Sequence, residues 1–385
     1  MTADAPLPRP RVRRDIPPAL RTALVVVLLY TFLVGVALLE AGIAAMGEGF
    51  REGLLESVAN PISGLFAGVL ATVLVQSSSV STATIVGLVG AGTLPVPLAV
   101  PMIMGANIGT TVTNTLASLG SIRRSEDFRR GFAGATMHDF FNILAVGLLL
   151  PIELLTGFLS RSATALTGVL RSATFDPAAP GRSPIRRAVQ IPVGYAERVL
   201  DIERLPGVLV GTLLLLLGLA LIFLALGFIT KNMRRLVAGG VQRAMNRVIG
   251  RGGGLVGIGV GILVTIAVQS STITTSILVP LVAAGILTLP NAYPITLGAN
   301  VGTTVTALIA SLAVLLPEGL TIALVHTLFN LTALAVIYPV KRIRLLPVRL
   351  AQRLADLAVR RRSVVILYIV GLFLVLPFLG IVLIP

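Results

Sequence analysis

QSSSVSTATIVGLVGAGTLP (Gln76–Pro95) and QSSTITTSILVPLVAAGILTLP (Gln269–Pro290) place nearly the same polar tetrad twice, each time inside an apolar stretch. Neither tetrad suits a continuous membrane helix. The apolar runs on either side of the first one, Gly64–Val75 and Val80–Gly92, are too short. At about 1.5 Å per residue neither reaches across a bilayer core of roughly 30 Å. Two half-helices joined at a polar turn predict a re-entrant hairpin. Irregular backbone at that depth is tolerated only where it is buried in protein or lines a wet cavity.

The likeness extends well beyond the tetrads. Gly64–Leu119 aligns without a gap to Gly257–Leu312. GANIGTTVT (Gly105–Thr113) matches GANVGTTVT (Gly298–Thr306), and Pro101 matches Pro294. After a shorter loop in the second half, MHDFFN (Met137–Asn142) matches VHTLFN (Val325–Asn330). Self-similarity of this extent identifies an internal duplication.

Composition sets the class. The chain has 385 residues, 55% hydrophobic and 12% charged. A soluble domain carries about a quarter charged residues, so this is an integral membrane protein. The net charge of +15 does not indicate nucleic acid, because the arginines sit in short loops between apolar runs, as the positive-inside bias requires. There is no cysteine, which excludes disulfides, thiolate metal sites and cysteine nucleophiles.

Loop charges orient the spans. Arg123, Arg124, Arg129 and Arg130 mark one inside loop, Lys231–Arg251 a second and Lys341–Arg362 a third, whereas Met46–Glu56, with three glutamates, reads as outside. The predicted fold class is an all-α integral membrane protein, an inverted-repeat secondary transporter with two re-entrant helical hairpins and about seven full transmembrane helices. Residues 1–22 form a basic cytoplasmic N-terminus. The first repeat, 23–157, holds a helix, hairpin 64–92 and two helices, and 158–206 is a long extracytoplasmic loop. The second, inverted repeat, 207–340, holds a helix, hairpin 255–286 and two helices. A basic cytoplasmic loop and the last transmembrane helix fill 341–385. The seven spans lie near 23–39, 95–119, 132–156, 207–230, 292–316, 320–339 and 363–384.

The duplicated blocks Gly64–Leu119 and Gly257–Leu312 contain no Asp, Glu, Lys, Arg or His. They offer Gln76, Ser77, Ser78, Ser79, Ser81, Thr82, Asn107, Thr110, Thr111, Thr113 and the matching polar side chains of the second half. Helix N-termini at the turns favour an anion, while side-chain oxygens and unwound carbonyls suit Na⁺. A multivalent anion is costly at that depth without positive charge. The residues supply none, so the cation must arrive with the substrate, which is symport chemistry.

Scattered polar residues such as Ser118 and Thr265 read as packing and weak helix–helix hydrogen bonds. Gly105, Gly109 and their twins fit close helix approach as well as a ligand-facing backbone. His138 and Asn142 share a helix face, as do His326 and Asn330. Both pairs are candidate supporting residues, either as structural hydrogen bonds or in a substrate or proton role. Asp139 matches Thr327 and so falls outside the symmetric device. Glu40, Glu153 and Glu318 lie near helix ends, where solvation is the simple reading.

These stretches, with FRRGFAGATMHDFFN, LLPIELLTGFL and HTLFNLTA, make the sequence similar to the type II sodium-dependent phosphate cotransporter family over most of its length. The resemblance implies inward phosphate transport driven by sodium. It implies that Gln76, Ser77, Ser78, Ser79 and Gln269, Ser270, Ser271, Thr272 cradle phosphate. It implies sodium sites at Gln76, Ser77, Asn107, Thr110 and Thr113, and at Gln269, Ser270, Asn300, Thr303 and Thr306. Thr272 replaces a serine but keeps the hydroxyl. Ala299 stands where some relatives have serine, which leaves one sodium ligand to the backbone.

The expected function is therefore a sodium-coupled inorganic phosphate symporter with alternating access around a midplane site formed by the two QSS hairpins. The alternative is a Na⁺- or H⁺-coupled transporter of another oxyanion, sulfate or arsenate. A channel is disfavoured because a neutral hairpin pair makes a poor filter. An enzyme is disfavoured because the catalytic motifs are absent and only His138 and His326 could serve as a base. No cofactor is expected, only Na⁺ as coupling ion. The expected partners are phosphate, Na⁺ and the lipid bilayer, with a homodimer compatible and nucleic acid not. The expected location is the plasma (inner) membrane, with the N-terminus cytoplasmic and the C-terminus extracytoplasmic.

Overall fold

The structure, a computed structural model, describes residues 17–174, 184–200, 205–251 and 254–384, with the backbone alone for 237–251. The basic N-terminal segment up to residue 16, and Pro385, lie outside the described residues. Among the described residues all regular structure is helical. The first half comprises α1 (Pro18–Ala45), α2 (Glu48–Ser57), α3 (Pro61–Val75), α4 (Ser78–Gly90), α5 (Val96–Gly109), α6 (Val112–Ser118) and α7 (Ser125–Thr156). Helices α8 (Phe158–Thr174) and α9 (Pro184–Val199) connect it to the second half. That half runs through α10 (Gly207–Arg251), α11 (Gly254–Val268), α12 (Ser271–Ala283), α13 (Leu289–Ser311) and α14 (Glu318–Ile337). The chain closes with α15 (Lys341–Arg344), α16 (Leu346–Arg360), α17 (Ser363–Val370), a π-helical turn at Gly371–Val375 and α18 (Leu376–Leu383).

Six helical stretches are long and apolar enough to cross a membrane: Pro18–Ala45, Val96–Ser121, Ser125–Thr156, Gly207–Leu236, Glu318–Ile337 and Ser363–Leu383. Helices α2 and α3, bent by 103° at their break, would make a seventh if counted as one. The seventh span expected from sequence, 292–316, is α13. It has 23 residues but is not among the six. Asn291, Thr296, Asn300, Thr303, Thr304 and Thr306 lower its apolarity. A helix enclosed by protein needs no lipid-compatible surface, and most of α13 from Ala292 to Ala310 is buried.

The stretch 158–206, expected as a loop, carries two amphipathic helices. Leu159, Ala163 and Thr167 recur every fourth residue and bury one face of α8, and Thr167 Oγ1 meets Thr321 Oγ1 of α14 at 2.9 Å. Val189 and Val193 bury α9 against α1, where Tyr30 OH donates to Ala188 O at 2.8 Å. The basic stretch after α14 likewise folds. Val348, Ala351, Ala355 and Ala358 seat α16 on α7, and Arg129 Nη1 pairs with Asp356 Oδ1 at 3.2 Å. Mixed charge hid these helices, because each has only one apolar stripe.

Two of the glutamates read as solvated are buried. Glu40 is 6% exposed and accepts from Leu315 N at 2.8 Å. Glu153 is 7% exposed and accepts from Leu159 N at 2.6 Å and Ser160 N at 3.2 Å. Its carboxylate thereby satisfies two of the free N–H groups that open α8. Glu318 is exposed, as expected.

Close backbone approaches set the helix directions. A Cβ on Gly68 would lie 2.1 Å from Met102 O, and one on Gly105 would lie 1.9 Å from Leu65 O. Gly64 faces Leu98 and Pro101, and Gly109 faces Val69 and Thr72. The contacts advance together, so α3 and α5 run parallel. In the second half a Cβ on Gly261 would lie 2.1 Å from Ile295 O and one on Gly298 would lie 2.0 Å from Ile258 O, which makes α11 and α13 parallel too. Parallel neighbours require the chain to come back between them. The 13-residue helices α4 and α12 make that return. By contrast Gly35 meets Gly218, and Gly42 meets Gly211, so α1 and α10 are antiparallel.

Side chains at these crossings have no room. Gly105→Ala or Gly298→Ala must push two helices apart, at about 1–3 kcal/mol or more for such overpacking. Thermal unfolding of the purified protein should show a lowered midpoint for both. Gly120→Ala, where nothing lies within 4 Å, should leave the midpoint in place.

Candidate substrate site at two left-handed glutamines

Both tetrads open on a residue whose backbone L-amino acids avoid. Gln76 has φ 55° and Gln269 has φ 57°, the only positive values among the described non-glycine residues. Such a conformation costs about 1–2 kcal/mol, so something must hold it. Gln76 Nε2 donates back to Val73 O, and Gln269 Nε2 donates to Ile266 O at 2.7 Å. The other end of each amide is clasped from a distance. Thr113 Oγ1 donates to Gln76 Oε1 at 2.9 Å, and Thr306 Oγ1 donates to Gln269 Oε1 at 3.1 Å. The clasp therefore spans the same sequence interval in both halves.

The serine after each glutamine starts the next helix. Ser77 caps α4 by accepting from Val80 N, and Ser270 caps α12 by accepting from Ile273 N, both at 3.3 Å. Serine is among the best residues for this task. The following residues place their carbonyls on threonines one turn on: Thr82 Oγ1 donates to Ser78 O and Thr275 Oγ1 to Ser271 O, both at 2.8 Å. Each break thus presents a helix N-terminus, hydroxyls and an amide, with no charged side chain in the tetrad itself. Ser78, Ser79 and Ser271 are buried. Helices α4 and α12 end alike, on Gly92 and Gly285 at φ 72°, with Thr93 N bonded to Leu88 O and Ile286 N to Leu281 O. These are Schellman-type terminations.

The candidate supporting residues join the two halves. His138 Nε2 lies 3.0 Å from Asn300 Oδ1, and Asn300 Nδ2 donates to Asn142 Oδ1 at 2.8 Å. Asn142 Nδ2 donates to Asn107 O at 2.7 Å. From the other side, Asn330 Nδ2 donates to Asn107 Oδ1 at 3.2 Å, and His326 Nε2 lies 3.4 Å from the same oxygen. Each GAN asparagine is therefore gripped by the His–Asn pair of the opposite half. Both histidines are 1% exposed.

Packing follows the same exchange. Helix α4 of the first half rests on α13 and α14, and α12 of the second half rests on α6 and α7. Leu316 N donates to Gly90 O at 3.2 Å. The sequence-predicted residues are thus drawn into three groups: two glutamine clasps and one bridging amide–imidazole network. Thr110 and Thr303 bond within their own helices, to Ala106 O at 2.8 Å and Ala299 O at 3.1 Å. Among the described residues no hydrogen bond joins one tetrad directly to the other.

Two residues outside the predicted site set take part, Asn114, which the sequence reading missed, and Asp139, which it set aside. Asn114 Nδ2 donates to Thr275 Oγ1, and Asn114 Oδ1 accepts from Ser276 Oγ at 2.9 Å, tying α6 to α12. Its counterpart is Ala307, so the repeat gave no signal. The available clue was an amide one turn beyond Thr110, on the same helix face. Asp139, fully buried, accepts from Tyr368 OH, which brings the last helix onto α7.

A double-mutant cycle reads the bridge directly. His138→Ala and Asn300→Ala should each destabilise the protein, and the pair should be non-additive by about 0.5–3 kcal/mol, the range for groups in one network. His138→Gln retains a donor close to Nε2 and should recover part of the loss. Thermal unfolding of these variants and the wild type in detergent measures it; full additivity would show that the bond does not couple the halves.

The sequence profile of the Na⁺/Pi-cotransporter family matches residues 31–169 and 221–351, the regions that hold both glutamine breaks and the bridging network. The sodium-dependent phosphate transport protein 2A of Ovis aries is 34% identical over 438 residues, covering 95% of this chain and 68% of that protein. The 2A protein of Rattus norvegicus is 34% identical over 94% of this chain and 67% of its own length. The sodium-dependent phosphate transport protein 2B of Homo sapiens is 32% identical over 93% of this chain and 64% of its own length. No solved structure gives a significant match. On profile and identity together, the chain belongs to the Na⁺/Pi-cotransporter family.

Proposed function

We propose that the chain is a sodium-coupled inorganic phosphate symporter. The observation that carries this is the glutamine break, built twice with the same φ, the same threonine clasp and the same serine cap. Family membership and the names of the relatives, sodium-dependent phosphate transport proteins, support the choice of ion and substrate.

In this reading each break is the tip of a re-entrant hairpin. A 13-residue helix is about 20 Å long, short of the roughly 30 Å core. The parallel run of α3 with α5, and of α11 with α13, supports a return inside the protein. The antiparallel pair α1 and α10, the first helices of the two halves, supports inversion of the second repeat. The basic loops then put the N-terminus on the cytoplasmic side and the last helix end outside.

Phosphate sits between the two tetrads, Gln76–Ser79 and Gln269–Thr272. The helix N-termini at Ser77 and Ser270 supply N–H groups and positive dipole ends. With no cationic side chain in either tetrad, Na⁺ provides the neutralising charge. Its oxygen ligands come from Gln76, Ser77, Thr110 and Thr113 with Asn107, and from Gln269, Ser270, Thr303 and Thr306 with Asn300. Asn300 Oδ1 faces His138 Nε2 from the opposite half and keeps a second lone pair, whereas Asn107 Oδ1 faces both Asn330 Nδ2 and His326 Nε2 and exchanges the longer of these contacts for Na⁺. His138, Asn142, His326 and Asn330 hold those asparagines rather than the substrate. Anion and cation bind poorly alone, which couples them. For alternating access, the hairpins and their following spans move against the close-packed pair α1 and α10.

Uptake of ³²P-phosphate into proteoliposomes tests the function. Wild-type protein should concentrate phosphate only with an inward Na⁺ gradient, and Gln269→Ala should fall to background while remaining folded. Sodium-independent uptake, or undiminished uptake by Gln269→Ala, would contradict the reading. Competition by sulfate or arsenate in the same assay ranks the oxyanions.

A further inference from the structure

The second tetrad borders a cavity that the symport site does not use. About 570 Å³ in volume, it is lined by Gly227, Thr230, Lys231, Arg234 and Arg235 of α10 and by Ile273 of α12. The α10 residues recur at helical spacing, so they share one face, the face turned toward α12. Ile273 is in the first turn of α12, and its N–H donates to Ser270 Oγ of the tetrad. The cavity therefore abuts the second break.

Its charge is of one sign. From Arg204 to Pro317 the chain has no Asp or Glu. Among the described residues none of the three cations is in an ion pair; Lys231 Nζ lies 5.9 Å from the Phe228 ring. Topology alone requires basic residues near a membrane surface, but not three of them on the cavity-facing side of one helix. A cavity on α1, the first helix of the first half, has the opposite character. It holds about 340 Å³ and is lined by Glu40, Glu197 and Gln190 beside Leu315.

We propose that Lys231, Arg234 and Arg235, with the Thr230 hydroxyl, form a second and weaker oxyanion site, an antechamber for phosphate between the second tetrad and the aqueous phase. This rests on the symporter reading for its role in transport, though not for its binding. Guanidinium groups match the oxygens of a phosphate in pairs, and an ammonium adds a point charge. A one-sign cleft with low-dielectric walls concentrates the anion at its mouth. The site needs no Na⁺, because it carries its own positive charge.

Equilibrium binding of ³²P-phosphate to the purified full chain, in sodium-free buffer at low ionic strength, tests it. The wild type should bind weakly and lose the binding as salt rises. Gln269→Ala should bind as the wild type does, and Lys231→Gln/Arg234→Gln/Arg235→Gln should not bind; Arg234→Lys/Arg235→Lys should retain most of it and guards against misfolding. In proteoliposomes, the triple variant should raise the half-saturating phosphate concentration roughly three- to ten-fold on one face of the membrane only, with sodium half-saturation unchanged. Equal effects on both faces, or sodium-free binding that survives the triple substitution, would overturn the proposal. A headgroup of an anionic lipid offers the same oxygens. An effect seen in vesicles containing phosphatidylglycerol and absent in pure phosphatidylcholine assigns the site to lipid and overturns the phosphate route. Absence of sodium-driven uptake in the wild type would remove the symporter reading while leaving the binding result to stand or fall by itself.

Discussion

The architecture depends on a glutamine held where glutamine does not go unaided. At Gln76 and Gln269 a left-handed backbone stops one helix, and the serine that follows starts another. The two threonine clasps stabilise that conformation from α6 and from the last turns of α13. Because Thr113 and Thr306 lie beyond the return helix, each clasp also closes its half on itself. Loss of the clasp would free the glutamine amide and relax the break together. The strain is local, and it is positioned where two helix N-termini and a row of hydroxyls become available to a ligand.

The halves are not merely adjacent. Imidazole and amide groups from α7 grip the asparagine of α13, and those from α14 grip the asparagine of α5. The return helices cross in the same sense, α4 onto α14 and α12 onto α7. A buried polar network of this kind specifies a unique arrangement when it is satisfied and is expensive when broken. It ties the two halves into one body. The first helices, α1 and α10, pack through glycines instead, a smooth contact with few directional bonds. That contrast, directional bonds inside the body and close smooth packing beside it, is suited to one part moving against another.

Much of this was legible in the residues, and for identifiable reasons. A polar tetrad in a short apolar run, repeated in register, left few other backbones available. The spacing of His138 from Asn142 and of His326 from Asn330 put each pair on one face, though not which half it would serve. Cross-half partnership is a tertiary fact that no local pattern encodes. The helices within 158–206 and α16 were missed because mixed charge masks a single apolar stripe. Glu40 and Glu153 looked solvated because proximity to a helix end does not reveal a neighbouring backbone N–H. Asn114 escaped because the repeat comparison discards whatever one half lacks. Helix α13 was counted as a span by position, yet its polar content reflects enclosure by protein rather than contact with lipid.

The central claim is that two separate stretches of sequence make one substrate site. Its most direct test is the number of phosphate ions bound per chain in saturating Na⁺, measured by equilibrium dialysis at a salt concentration that silences weak electrostatic binding. The account predicts one, abolished alike by Gln76→Ala and by Gln269→Ala. Two phosphates per chain, with each substitution removing one and sparing the other, would contradict it.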